Sequence, residues 1–273
     1  MPVSIQPMRV NHMNAVLRDH DASVAHLTRH FGAEFMSDMP QREFHASLIE
    51  FGRVIFELFV PHDWLVSARI GPHYVGLEWQ ADMDQVRAAI ADHGIGLVRD
   101  ISLALHTDPA DCFGISHEFY GEYFHDRDWE LLGHTTIKPA AYWHDEHPLG
   151  LTGLVGFTHA VEDLAAASQF TQSFLAATPV YEVERAEIGA RAVGLRVADA
   201  VIELQAPTGP GHLRRYLDRQ GQGIRSTLFG VRDIDRARAY LTAQGLPIEP
   251  GSAEGSFAVP AEANLGIAFE FRA

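Results

Sequence analysis

A short apolar segment with a glutamate at its centre occurs four times along this chain, and its spacing constrains the fold more than any other feature. The four segments are Phe56-Glu57-Leu58, Trp129-Glu130-Leu131, Ile202-Glu203-Leu204 and Phe269-Glu270-Phe271. The steps between the glutamates are 73, 73 and 67 residues in a chain of 273. Self-similarity at such a period indicates tandem copies of one structural unit. We therefore predict four copies, each ending in a strand that carries the glutamate.

Each copy is predicted to contain a strand, a helix and three further strands. An aspartate of N-cap type precedes each predicted helix. These aspartates are Asp19, Asp82, Asp163 and Asp233. In the second copy we predict strands at residues 73–79, 95–101, 119–124 and 129–132, with an insertion at 103–117.

The chain is predicted to form two domains of two copies each. The stretch 136–149 contains Pro139 and Pro148 among mixed charges, which is typical of a linker. The predicted domains are residues 8–135 and 150–273.

The bulk composition excludes several classes of function. A formal net charge of −15 disfavours both nucleic acid and anionic membrane surfaces as partners. A single cysteine cannot form an internal disulfide framework. We find no signal peptide and no apolar run of membrane-spanning length, so we expect a cytoplasmic protein.

The side chains suited to metal chemistry are concentrated in the first half. Fourteen of the sixteen histidines lie between His12 and His147, and only His159 and His212 come later. Histidine is the commonest metal ligand and titrates near neutral pH. The first two copies are therefore the expected location of any catalytic chemistry, although several histidines on predicted helices, such as His20, are better read as surface residues.

The order of elements resembles the vicinal oxygen chelate superfamily, which includes glyoxalase I, methylmalonyl-CoA epimerase and type I extradiol dioxygenases. The resemblance is clearest in residues 201–207, 213–223 and 228–234. It implies an α+β fold in which four βαβββ units pair into two half-barrel, glyoxalase-like domains. It also implies one divalent metal ion (Fe, Mn, Zn, Co or Ni) on the concave face, with ligands from the first and last strands.

The resemblance places the metal in the first domain. It assigns His12, seven residues before Asp19, together with Glu57, Glu130 and a ligand from the first strand of copy two. The equivalent position there is Val75, and His73 lies one pleat away on the same face, so His73 is taken as that ligand. In copies three and four the equivalent positions are Gly156 and Ser226, which implies a degenerate second site.

Two imidazoles and two carboxylates suit a Lewis-acid metal that binds a substrate through two adjacent oxygens. Glu57 is the predicted catalytic base, and Tyr123 and His125 are further catalytic candidates. We predict an isomerase, epimerase or lyase acting on a small oxygen-chelating substrate, with a homodimer as one possible assembly. The alternatives are an Fe(II) ring-cleaving dioxygenase with His12, His73 and Glu130 as its triad, and a non-catalytic, resistance-type binding protein.

Overall fold

The computed structural model describes residues 2–40, 44–61, 71–101 and 103–273. The predicted fold class is confirmed. Each of the four predicted copies, called units one to four below, folds as a strand, a helix and three further strands, and together they build two eight-stranded mixed sheets.

The first sheet contains the strands of units one and two. Its strands are β1 (Arg9–Val16), β2 (Glu34–Pro40), β3 (Phe44–Phe51), β4 (Val54–Pro61), β5 (His73–Gln80), β6 (Leu97–Asp100), β7 (Ala104–Thr107) and β8 (Ser116–Tyr120). The helices of these units are α1 (His20–His26), which continues as a π-helical turn over Leu27–Phe31, and α2 (Met83–His93). The strand order is β2-β3-β4-β1-β5-β8-β7-β6.

The second sheet repeats this order with units three and four. Its strands are β9 (Leu151–Ala160), β10 (Thr178–Arg185), β11 (Ala190–Val197), β12 (Ala200–Pro207), β13 (Gly223–Val231), β14 (Glu249–Pro250), β15 (Phe257–Val259) and β16 (Ala268–Arg272). The helices are α3 (Leu164–Phe174), α4 (His212–Gln220) and α5 (Ile234–Ala243). The strand order is β10-β11-β12-β9-β13-β16-β15-β14.

Local chemistry fixes where the helices begin. In each unit the predicted aspartate is the N-cap, and its carboxylate accepts hydrogen bonds from backbone N–H groups of the first turn. Gly32 and Gly94 end the first two helical segments with φ values of 64° and 66°, a conformation that glycine adopts without strain.

The prediction for the end of unit two is wrong. Residues 103–117 are not an insertion, because they contain β7 and the start of β8, joined by a turn at Asp108 and Pro109. Residues 129–132 form a turn rather than a strand, and Glu130 is exposed. The glutamate on the last strand of unit two is therefore Glu118.

By backbone proximity the chain divides into two compact units that combine distant segments. One contains residues 1–11, 75–124 and 156–225, and the other contains residues 12–74, 125–155 and 226–273. The predicted domain boundaries at 8–135 and 150–273 stay a prediction.

Each compact unit has an aromatic core of its own. In the first, Phe119 and Phe174 pack edge to face at 6.1 Å, and Phe170 stacks on Phe174 at 5.2 Å. In the second, Phe51 contacts Phe229 at 4.8 Å and Phe269 at 5.6 Å. Aromatic pairs at these distances add to the free energy gained from burial. None of the described helices is long and apolar enough to cross a membrane.

A buried carboxyl on β3 is expected to make stability depend on pH. Glu50 is fully buried and accepts hydrogen bonds from the Lys138 backbone N–H at 2.8 Å and Trp143 Nε1 at 2.9 Å. Burial raises its pKa to about 7, although these hydrogen bonds oppose the shift. Between about pH 4.5 and 7 the carboxyl ionises in the unfolded chain but stays protonated in the folded one.

The free energy of unfolding should therefore fall by about 2–3 kcal/mol from pH 5 to pH 8 through this group. Urea unfolding at both pH values measures the change, which Glu50→Gln should largely remove. Glu254→Gln, at an exposed glutamate, is the control and should leave the pH dependence intact. An unchanged pH dependence in Glu50→Gln would contradict the assignment.

Candidate metal centre

The first and last strands of every unit run parallel and place equivalent residues side by side. The residues opposite the last-strand glutamates are Asn14 opposite Glu57, Glu78 opposite Glu118, Thr158 opposite Glu203 and Leu228 opposite Glu270. Two residues earlier on the same face of the first strand are His12, Gly76, Gly156 and Ser226. Units one and two therefore place a histidine and a second glutamate on this face, whereas units three and four place none.

Unit two contributes a buried acidic pair that the sequence analysis missed. Glu78 and Glu118 are 1% and 2% exposed. His106 Nε2 lies 2.6 Å from Glu118 Oε1, and the Tyr120 hydroxyl donates to the same oxygen at 2.5 Å. Both contacts are made by the same oxygen of the Glu118 carboxylate, Oε1.

The register of β7 and β8 positions these groups. His106 lies opposite Glu118 in the antiparallel ladder, and the Thr107 carbonyl accepts a hydrogen bond from Ser116 Oγ at 2.9 Å. On the other face of β8, His117 accepts a hydrogen bond from Trp79 Nε1 at 3.2 Å. Burial, with repulsion from His159, lowers the pKa of His117 to about 3, so this imidazole is neutral and packs against the core.

Unit one contributes a histidine and a carboxylate. His12 on β1 is fully buried, and its Nε2 lies 3.4 Å from Glu57 Oε2 on β4. The Glu57 side chain keeps 15% of its surface exposed. A carboxylate with partial solvent access beside a buried imidazole can exchange protons with a bound molecule.

The other predicted site residues lie elsewhere. Glu130 is in the exposed turn after the sheet, so the structure does not bring it to the strand position for which it was chosen. By strand alternation, His73 shares a face with Trp79 rather than with Glu78, and its Nδ1 lies 2.7 Å from the Gly71 carbonyl oxygen.

The two further catalytic candidates, Tyr123 and His125, both make contacts with nearby arginines. The Arg9 guanidinium lies 3.9 Å from the centre of the Tyr123 ring. His125 Nε2 lies 3.0 Å from the Arg53 carbonyl oxygen, which requires the proton on Nε2. Burial lowers the pKa of His125 to about 4, so it is neutral near pH 7.

In units three and four, the last-strand glutamates accept hydrogen bonds from other protein groups. Glu203 accepts hydrogen bonds from Arg185, from Tyr181 at 2.8 Å and from Gln205 at 2.7 Å. Burial alone would raise the pKa of Glu203, but these hydrogen bonds lower it overall.

Glu270 accepts hydrogen bonds from two serines. It accepts from Ser226 Oγ at 2.7 Å, and from Ser252 through Oγ at 2.7 Å and N–H at 2.8 Å. The last-strand glutamates of units three and four thus accept hydrogen bonds from a guanidinium and from serine hydroxyls respectively. The degenerate second site stays a prediction.

Removal of Arg185 should be costly because its partner is buried. We expect Arg185→Met to destabilise the protein by about 3 kcal/mol at pH 8, since Glu203 would be left as a buried charge without a counter-ion. The loss should shrink at pH 5, where the carboxyl can protonate. Chemical denaturation measures both values. Arg191→Met, which breaks an exposed ion pair with Glu182, is the matched control and should cost less than about 1 kcal/mol.

Two sets of side chains among the described residues could each hold a metal ion. The sets are His12 with Glu78 and Glu118, and His20 with Asp38 and His45. The first set is buried and comes from β1, the first strand of unit one, and from β5 and β8, the first and last strands of unit two.

Similarity to known proteins is found in structure rather than in sequence. No protein-family model matches the chain, and no curated protein is significantly similar to it in sequence. A triple variant of 4-hydroxymandelate synthase from Streptomyces coelicolor superposes with a TM-score of 0.73 at 15% identity, covering 97% of this chain and 92% of that one.

Two further solved structures are similar to all or part of this chain. A variant of homoprotocatechuate 2,3-dioxygenase from Brevibacterium fuscum has a TM-score of 0.66 at 14% identity, covering 100% of this chain and 72% of that one. Methylmalonyl-CoA epimerase from Mycobacterium tuberculosis is 27% identical over 44% of this chain and 87% of that one, with a TM-score of 0.42. The chain therefore has the fold of the 4-hydroxymandelate synthase and homoprotocatechuate 2,3-dioxygenase structures, and the expected α+β fold of paired βαβββ units is confirmed.

Proposed function

We propose that this protein is a metal-dependent enzyme of the vicinal oxygen chelate type, with His12, Glu78 and Glu118 as ligands of one divalent ion. The observation that carries the proposal is this buried donor set on the first strand of unit one and on the first and last strands of unit two. The superfamily's metal ligands come from the same strands. Relative to the sequence prediction, His12 is kept, Glu118 replaces Glu130, and Glu78 replaces His73.

The donor set fits a divalent transition metal. One imidazole and two carboxylates suit Fe(II), Mn(II), Co(II) or Zn(II) and leave coordination positions for a substrate. Such an ion supplies Lewis-acid activation of a substrate that binds through two adjacent oxygens. We therefore propose a small-molecule substrate that carries two adjacent oxygen atoms.

The side chains around the proposed ligands favour proton transfer. Glu57 Oε2 lies close to His12 but is not in the proposed set, so its carboxylate is available as a base for a proton next to a carbonyl. His106 and Tyr120 hold Glu118 in one orientation through Oε1. We therefore favour an isomerase, epimerase or lyase.

Oxygen-dependent chemistry is the second candidate. Two structural neighbours that cover nearly all of this chain are a 4-hydroxymandelate synthase and a homoprotocatechuate 2,3-dioxygenase, and the second is an oxygenase by name. A ligand set of one histidine and two carboxylates does not reproduce the two-histidine, one-carboxylate triad of non-haem iron oxygenases. We rank this candidate second for that reason.

A paired assay separates the two candidates. Protein reconstituted with Zn(II) or Fe(II) is tested with 2-oxoaldehyde and catechol substrates, homoprotocatechuate included, with and without oxygen. Proton-transfer chemistry predicts anaerobic turnover with Zn(II), lowered at least 100-fold by Glu57→Gln and unchanged by Glu130→Gln. Stoichiometric oxygen uptake that requires Fe(II) and survives Glu57→Gln would establish the oxygenase, and binding without turnover would favour a resistance-type binding protein.

A further inference from the structure

We propose that His20, Asp38 and His45 form a second transition-metal site, separate from the proposed active site. His20 begins α1, Asp38 lies on β2 and His45 lies on β3, so three elements of one compact unit meet here. The Asp38 Oδ1 atom lies 2.5 Å from His45 Nε2 and 3.3 Å from His20 Nε2. This inference does not depend on the proposed function.

The two imidazole rings stack beside the same oxygen, Asp38 Oδ1. They stack with their centres 3.6 Å apart and their planes 9° from parallel. Both rings therefore present a nitrogen close to one carboxylate oxygen, which brings three ligand atoms of the kinds that transition metals prefer into one place.

The tautomer of His20 points to a cation at Nε2. Its Nδ1 lies 2.9 Å from Asp21 Oδ1, so Nδ1 carries the proton and donates it to that carboxylate. The Nε2 lone pair then faces Asp38 Oδ1, and this buried nitrogen makes no hydrogen bond to a described residue. Only a proton or a metal ion can make this contact attractive. A histidine held by a carboxylate at its other nitrogen is the usual arrangement in metal sites.

The site has the composition and access of an open transition-metal centre. Ligand atoms around a tetrahedral ion stand about 3.4 Å apart when the bonds are about 2.1 Å, so the ion requires Asp38 to shift from His45 by about 1 Å. An imidazole binds a metal in the plane of its ring, so the His45 ring, which is 27% exposed, must also turn out of its stack on His20. Asp38 is 51% exposed and free to make its shift, whereas His20 is only 12% exposed and is already fixed. Two imidazoles and one carboxylate suit Zn(II), Co(II) or Ni(II), with water completing the coordination.

Titration of the full-length protein with Co(II) at pH 8, followed by calorimetry and visible absorption, tests the site. We expect one ion more per chain in wild type than in His20→Ala/His45→Ala. His12→Ala/Glu118→Gln, which removes the proposed active-site ligands, should keep that ion. Loss of the proposed active-site metal alone would thus leave this result unchanged.

The control variant is His144→Ala. His144 also places Nδ1 near the carboxylate of the next residue, at 2.7 Å from Asp145 Oδ1, but it belongs to neither set of three described ligands. It should bind Co(II) as wild type does, and Asp38→Asn should weaken the extra site at least 10-fold. Equal stoichiometry and affinity in wild type and in folded His20→Ala/His45→Ala would overturn the proposal.

Discussion

Glu118→Gln is expected to lower metal affinity by more than about 100-fold, whereas Glu130→Gln should leave it unchanged. The amide is a poorer ligand than the carboxylate, and the substitution also disturbs the contact with His106 at 2.6 Å. Elemental analysis after dialysis against a weak chelator measures the retained metal. Circular dichroism shows whether both variants are folded.

Glu130→Gln is a matched control because Glu118 and Glu130 both belong to unit two but differ in burial and in secondary structure. Glu118 is buried on β8, and Glu130 is exposed in a turn. Loss of metal in Glu130→Gln, with full retention in Glu118→Gln, would restore the ligand set first predicted from the spacing of the glutamates.

Gly156→Ala is expected to cost more than about 4 kcal/mol or to prevent folding. A Cβ at this position would lie 1.9 Å from the Val201 carbonyl oxygen, which is backbone of the neighbouring parallel strand and cannot move without breaking the ladder. Gly76 on β5 meets the same constraint, with the Ser116 carbonyl oxygen at 1.7 Å. Thermal unfolding should shift down by about 10 °C or more.

The control for this substitution is Gly209→Ala, because no atom lies within 4 Å of a Cβ built there. It should change the melting temperature by no more than about 2 °C. A Gly156→Ala protein as stable as Gly209→Ala would show that the close pairing of β9 with β12 is described incorrectly.

The fold was predictable because its local signals are repeated and physical. Each N-cap aspartate acts within one helical turn, so the sequence contains all of the information needed to place it. The parallel pairing of first and last strands also follows from the order of elements once a helix separates them. These signals act within one unit and do not depend on how the units pack against one another.

The last strand of unit two was misplaced because Trp129-Glu130-Leu131 imitates the other three segments. The number of residues between the N-cap aspartate and the glutamate distinguishes the true last strand from the imitation. The N-cap aspartate precedes the last-strand glutamate by 38, 40 and 37 residues in units one, three and four. In unit two, the step from Asp82 is 36 residues to Glu118 and 48 residues to Glu130.

The candidate ligand on β5 was less accessible to sequence reasoning. The loop between β5 and α2 is shorter than its counterpart in unit one, so counting back from Asp82 reaches Val75, on the wrong face of the strand. Only the register, in which Glu78 lies opposite Glu118, reveals the acidic pair. A shift of one residue exchanges the two faces of a strand, and this uncertainty is what separated His73 from Glu78 in the prediction.

An anomalous-difference map from crystals grown with one equivalent of Co(II) tests the central claim most directly. The account predicts a dominant peak about 2.0–2.2 Å from donor atoms of His12, Glu78 and Glu118. A peak bound instead by His73 or Glu130, or no peak near His12 in crystals whose metal content is one ion per chain, would contradict it.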